Sequence, residues 1–257
     1  MSQRAHGLHH HLRFATAAAH SNLERTLATR GYFDTRDGYI DYLRRFHAFH
    51  DEAERFLDAG RAGQFIPDWE ERRRAYLARI DLQTLGESAP LPAAPSGLLP
   101  RLSGVEQVLG VAYVLEGSTL GGAFLLKQLA PLGISASHGG SYLASYGNER
   151  GKMWQKFLAT LEEAHSHVQA AAVASAALRA FNAARYFLTE ASCVRAAPNV
   201  ASTSSAAMTS TCAIMPGRAM TPGVEVATSV VAASAAAADL APPAADQPPA
   251  RACSMVA

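Results

Sequence analysis

Cysteine is scarce in this chain and falls late. Only Cys193, Cys212 and Cys253 occur in 257 residues, and their spacing matches neither a disulfide scaffold nor a structural zinc site. Excess charge of either sign is also missing. Lys+Arg total 23 against 22 Asp+Glu, which leaves no basic footprint for nucleic acid. No run of about 18 or more unbroken apolar residues reads as a membrane span, and the N-terminus lacks a compact apolar signal segment. No glycine-rich flavin or nicotinamide fingerprint appears. Convincing strand segments are absent as well. Together these gaps point to a cytoplasmic helical protein with no nucleic-acid and no membrane partner.

Aromatic residues stop near residue 195. From Arg195 to Ala257 there is none, and Ala, Ser, Thr and Pro dominate. Such a stretch can bury little against the entropy of ordering it. We therefore read residues 195–257 as an Ala/Ser/Pro-rich tail, expected to be disordered, behind one helical domain over residues 1–194. At about 190 residues that domain is large enough for a real core.

The most informative stretch is Ser103 to Pro131. Ser103 and Glu106 form the pattern of a capping box, Lys127 lies in the last turns, and Pro131 follows. Between these signals the segment is apolar and nearly uncharged, as in a buried helix. Yet it contains Gly117, Gly121 and Gly122. Glycine in a helix interior costs about 1 kcal/mol against alanine. Gly117 and Gly121 are four apart and share a face. Either another helix crosses closely there, or something flat approaches the bared backbone.

The first helix, expected from about His9 to Arg30, repeats apolar residues at Leu12, Ala15, Ala19, Leu23 and Leu27, and Gly31 can end it. His20 lies on the face of Thr16, Leu23 and Leu27, with Glu24 one turn on. A carboxylate held against one imidazole nitrogen fixes the tautomer and frees the other nitrogen for a metal. An ordinary half-buried histidine with an i,i+4 partner has the same spacing. Ala17, Ala18 and Ala19 keep the surroundings small, and Phe14 reads as a core or pocket-wall aromatic. The preceding HGLHHH cluster carries little weight as a metal site.

Thr35 to Ala59 reads as a capped second helix with an aromatic stripe at Tyr39, Tyr42, Phe46, Phe49 and Phe56, best explained as core. His47 and His50, with Asp51 and Glu54, invite a di-iron or zinc reading, but the early chain has no Glu-x-x-His to support it. A charged helix is expected from Pro67 to Ile80, then a loop from Gln83 to Pro100. Further helices are expected at Ser141–Tyr146, Lys152–Ala174 and Ala176–Ala191. The fold class is all-α, a multi-helix bundle.

Two of these segments resemble the heme oxygenase family, in its bacterial, biliverdin-producing type associated with bacteriophytochromes. LRFATAAAHSNLE is similar to the family's proximal helix, and YVLEGSTLGGAFLLKQL to its distal helix. The likeness covers about Leu12 to Ala191. It implies heme sandwiched between the two helices, with His20 as iron ligand and Glu24 steadying it. Arg13 and Tyr113, with Lys152 and Lys156, would hold the propionates. Gly117, Ser118 and Gly121 would form the catalytic face, where dioxygen binds. Ser118 stands where animal-type members carry an aspartate, so any water network there must differ. Heme would be both substrate and cofactor, and the products biliverdin, ferrous iron and carbon monoxide. An external electron donor is implied, whether ferredoxin, flavodoxin or a flavoprotein reductase, and a bacteriophytochrome is a candidate biliverdin acceptor. The alternative is a non-catalytic heme-binding carrier or sensor on the same fold.

Overall fold

The computed structural model describes residues 7–88 and 97–189. The expected tail boundary and all three cysteines lie outside them. The described residues form helices α1 (Leu8–Arg30), α2 (Arg36–Ala59), α3 (Trp69–Arg72), α4 (Ala75–Thr84), α5 (Val105–Leu129), α6 (Ser141–Ala144), α7 (Arg150–Ala164) and α8 (Ala170–Thr189), joined by 3₁₀ turns. No strand occurs among them.

The arrangement follows from where the apolar faces go. α5 and α1 each pack extensively on α8, and α2 packs on α4 and α8. α1 and α5 barely touch one another. α8 can serve both because its sequence is rich in alanine: Ala176, Ala177, Ala180, Ala183 and Ala184 are all buried. Small side chains let helix axes come close. Gly110 of α5 completes that crossing, since a Cβ built there would lie 2.5 Å from the Val173 carbonyl oxygen and 2.6 Å from Ala176 Cβ.

Helix ends are satisfied in ways the local sequence only partly announces. Thr35 caps α2 through the Gly38 N–H, and Gly31 ends α1 in the left-handed conformation that glycine tolerates best. The start of α1 is held from a distance: the N–H groups of Leu8 and His9 donate to the Glu162 carboxylate of α7. The expected capping box does not form. The N-cap of α5 is Gly104, and the Ser103 hydroxyl donates instead to Gln107 Oε1 at 2.8 Å.

The charged segment expected as one helix is broken at Arg73–Arg74 into α3 and α4. Glu54 of α2 explains the restart, because its Oε1 accepts the N–H groups of Arg74 and Ala75 at 2.6 and 2.8 Å. Likewise the helix expected over Lys152–Ala174 ends at Ala164, and α8 begins at Ala170. α5 is long and apolar enough to cross a membrane by length and mean hydropathy, which corrects the sequence-based view that no segment qualifies. Most of it is buried within the bundle, as suits a central core helix.

Candidate functional site

The glycines of α5 divide into two kinds. Gly122, like Gly110, is a packing glycine: a Cβ there would sit 2.3 Å from the Leu143 carbonyl oxygen of α6. Gly117 and Gly121 are different, for a Cβ on either would meet nothing within 4 Å. A close helix crossing therefore accounts for the first pair and not for the second. The backbone of α5 at Gly117 and Gly121 borders open space.

That space is a slot between α1 and α5, formed by two adjoining cavities. The larger, about 250 Å³, is lined by Arg13, Thr16, Ala17, Tyr113, Trp154 and Phe181 among others. The smaller, about 90 Å³, reaches Gly121, Arg74, Tyr142 and Leu125. His20, Leu23, Glu24, Phe46, Gly117 and Ser118 line both. Most of the wall is apolar, as in ligand sites that recognise a flat hydrophobic body through a few polar groups.

His20 Nδ1 lies 3.4 Å from Glu24 Oε2, and its ring meets Phe181 of α8 edge-on at 5.8 Å. The contact turns Nδ1 toward Glu24 and leaves Nε2 available to coordinate a metal. Neither buried Glu24 oxygen accepts a true hydrogen bond. A carboxylate in that state strengthens its hold when the imidazole carries a larger positive charge, as it does on binding a metal. Trp154 Nε1 at the other end is likewise a buried donor without an acceptor. Beside it, burial pushes the Tyr113 phenol up, while a hydrogen bond with Thr16 and the charge of Arg13 act in the opposite sense. An apolar slot with a poised imidazole, one bare wall and donors at one end fits a flat, metal-bearing, anionic ring.

Not every sequence-derived candidate comes to the slot. Lys152 and Lys156 do not line it. Lys152 Nζ pairs with Glu149 at 3.1 Å, and Lys156 Nζ lies 4.0 Å from Asp68. They are one turn apart on the outer face of α7, while Trp154 and Phe157 turn inward. Phe14 is 84% exposed and not a pocket wall, because Leu12 and Thr16 take the buried positions on its helix. Ser118 lines the slot, but its hydroxyl donates to the Leu115 carbonyl at 2.7 Å, which leaves it only acceptor capacity.

Sequence reasoning missed the polar layer behind α5. Glu116, buried, pairs with Arg72, and with Arg74 at 3.0 Å. Tyr146 OH reaches Glu116 Oε1 at 3.0 Å, and Arg74 Nη1 donates to that phenol oxygen at 2.6 Å. Arg74 also donates to the Leu115 carbonyl at 2.8 Å and lines the smaller cavity. In the sequence Arg72 and Arg74 look like members of a solvated charged run. The one available signal was Glu116, the only acid of α5 beyond its first turn, which demands a cationic partner. The di-iron reading finds no support: among the described residues no cluster of three or more His, Cys, Asp or Glu could hold a metal. His50 instead bonds Tyr142, and Glu54 caps α4.

Fold and slot together define an all-helical protein that takes a flat ligand between a histidine-bearing helix and a glycine-bearing helix. The sequence profile of the heme oxygenase family matches residues 99–190. The chain is 31% identical over 134 residues to a heme oxygenase of Xanthomonas campestris pv. campestris, covering 52% of this chain and 77% of that protein. It is 28% identical over 151 residues to heme oxygenase PigA of Pseudomonas aeruginosa, covering 59% and 75%. Its fold matches the NO- and CO-bound heme oxygenase of Neisseria meningitidis with a TM-score of 0.61 and 28% identity, over 72% of this chain and 91% of that one. The chain belongs to the heme oxygenase family.

Proposed function

We propose that this chain cleaves heme, its substrate, with dioxygen and electrons to biliverdin, ferrous iron and carbon monoxide. The observation that carries the reading is the open space over Gly117 and Gly121 on the wall facing the His20–Glu24 pair. When bound, heme supplies a redox-active iron and the macrocycle edge that is itself oxidised.

The chain's own residues do the rest. His20 offers Nε2 to the iron, and Glu24 holds Nδ1 and the ring orientation. Gly117 and Gly121 keep the opposite wall free of side chains and would leave room there for a small ligand such as dioxygen. Arg13, Tyr113 and the Trp154 N–H gather donors at one end of the slot, suited to the propionates. That polarity would bias how the ring is oriented in the slot. The apolar walls exclude bulk water, which strengthens the remaining polar contacts.

Electrons come from an external donor, a ferredoxin, flavodoxin or flavoprotein reductase. The reading is supported by a sequence with no nucleotide-binding fingerprint of its own. Reaction in the cytoplasm and delivery of biliverdin to a bacteriophytochrome belong to the same proposal. The test is heme titration followed by turnover driven by ascorbate or reduced ferredoxin. A histidine-ligated spectrum giving way to biliverdin absorbance is expected. A stable heme complex that yields no biliverdin with any of these reductants would instead identify a carrier or sensor.

A further inference from the structure

The smaller cavity contains a phenol that the account above does not use. Tyr142 sits on α6, a single turn of helix fixed at both ends. At its start, Asp81 accepts the N–H groups of Ser141 and Tyr142 at 2.9 and 2.7 Å, and the Ser141 hydroxyl at 2.7 Å. At its end, Arg150 donates to the Ala144 carbonyl at 2.7 Å. The side of α6 that faces α5 is pressed into the gap left by Gly122. This framing sets the Tyr142 ring firmly in the wall it shares with Arg74, Gly117, Ser118 and Gly121, in the cavity that His20 also lines.

The Tyr142 hydroxyl lies 2.9 Å from Nε2 of His50. His50 is wholly buried, packed among Phe46, Phe49 and Tyr142. Its Nδ1 has no hydrogen-bond partner. Burial pushes the imidazole well below its ordinary value and the Tyr142 phenol well above its own, so both are neutral near pH 7. A neutral imidazole carries one N–H. Were it on Nδ1, a donor would be buried without an acceptor, at about 1–3 kcal/mol. With the proton on Nε2 only a lone pair goes unused, which proteins tolerate better.

In that tautomer His50 donates to the Tyr142 oxygen, and the phenol's own hydrogen is left for another acceptor. The structure gives the Tyr142 hydroxyl no second side-chain partner, and the space that Tyr142 borders is the smaller cavity. We propose that Tyr142 donates a hydrogen bond into the slot, to a ligand on the Gly117–Gly121 side of bound heme, and that His50 is the positioning residue that turns the phenol to do so. The two supply a neutral donor on a wall where the Ser118 hydrogen is already committed to the backbone. The inference rests on the heme reading of the slot, but its first half is measurable without heme.

Nitrogen-15 NMR on ligand-free protein labelled at histidine reads the tautomer directly. The Nε2–H pattern is expected for His50, and an Nδ1–H pattern overturns the proposal. In the ferrous carbon monoxide complex, the C–O stretch reports donors near the ligand. Tyr142→Phe is expected to raise its frequency, and His50→Leu to do the same. His50→Gln, which keeps a side-chain N–H for the phenol, is expected to restore the wild-type frequency. An unmoved stretch in Tyr142→Phe overturns the proposal. If wild-type protein shows no histidine-ligated heme spectrum, the heme reading has failed, and the named acceptor fails with it whatever the tautomer.

Discussion

Gly122 receives the carbonyl of Leu143 where a side chain would otherwise stand, with only 2.3 Å between that oxygen and an added Cβ. Five residues earlier on the same helix, Gly117 has no such neighbour. Glycines close in sequence thus serve opposite purposes. Replacing each by alanine separates them. Gly122→Ala is expected to lower stability by about 1–3 kcal/mol through overpacking. Gly117→Ala is expected to raise the stability of the heme-free protein by about 1 kcal/mol, through helix propensity alone. Urea denaturation of both variants checks the contrast. Equal losses would mean that Gly117 is also a packing glycine.

In the proposed reading, Glu24 would act on the iron only through His20. Glu24→Gln keeps the shape but removes the charge that Nδ1 leans on at 3.4 Å. Loss of such a supporting carboxylate is expected to weaken heme affinity by about 10–100-fold, with circular dichroism of the apoprotein unchanged. Heme titration by absorbance reads the affinity. An unaltered dissociation constant would show that the pair is only an intrahelical contact.

Glu116 is the common partner of Arg72 and Arg74, all three buried. Glu116→Gln leaves two guanidinium groups facing a neutral amide. A destabilisation of about 3–5 kcal/mol is expected, as when one partner of a buried pair is removed. The variant should also release Tyr146, which reaches both Glu116 oxygens. Chemical denaturation measures the first effect, and fluorescence quenching of tyrosine by acrylamide the second.

Acid should weaken the fold through His50. Its native value lies well below the ordinary 6.5 because burial disfavours the imidazolium, and Arg74 adds to the effect. Below that ordinary value the unfolded chain takes up a proton that the native chain refuses. Stability is therefore full above about pH 6.5 and falls as pH drops, by up to about 1.4 kcal/mol per pH unit. Glu54 and Asp81, whose carboxyls burial raises, oppose this at lower pH. The difference between wild type and His50→Gln isolates the imidazole. That difference should shrink steadily from pH 7 to pH 5.5, and a constant difference would mean that His50 titrates normally.

What the sequence made legible was periodic and local. The helices around His20 and Gly117 follow from apolar spacing, and the end at Gly31 and the cap at Thr35 follow from turn chemistry. The pairing of His20 with Glu24 needed only the pitch of a helix. What stayed hidden depends on residues far apart in the chain. Glu54 breaks the charged segment at Arg74 from twenty positions away, and Glu162 caps a helix that starts at Leu8. Lys152 and Lys156 have suitable charge for a propionate, but helix phase turns them outward and brings Trp154 in. Phe14 failed for the same reason: its type suggested the interior, while its phase set it in solvent. Tyr142 had no motif at all, since only the docking of α6 against Gly122 carries it to the cavity.

Because α1 and α5 both lean on α8 and scarcely on each other, the slot works like two jaws hinged on one spine. The α1 jaw is packed along α8 and also pinned at its tip, where Glu162 accepts the Leu8 and His9 amides. Losing the Glu162 contact would loosen one wall of the slot at its end and leave the α5–α8 interface intact.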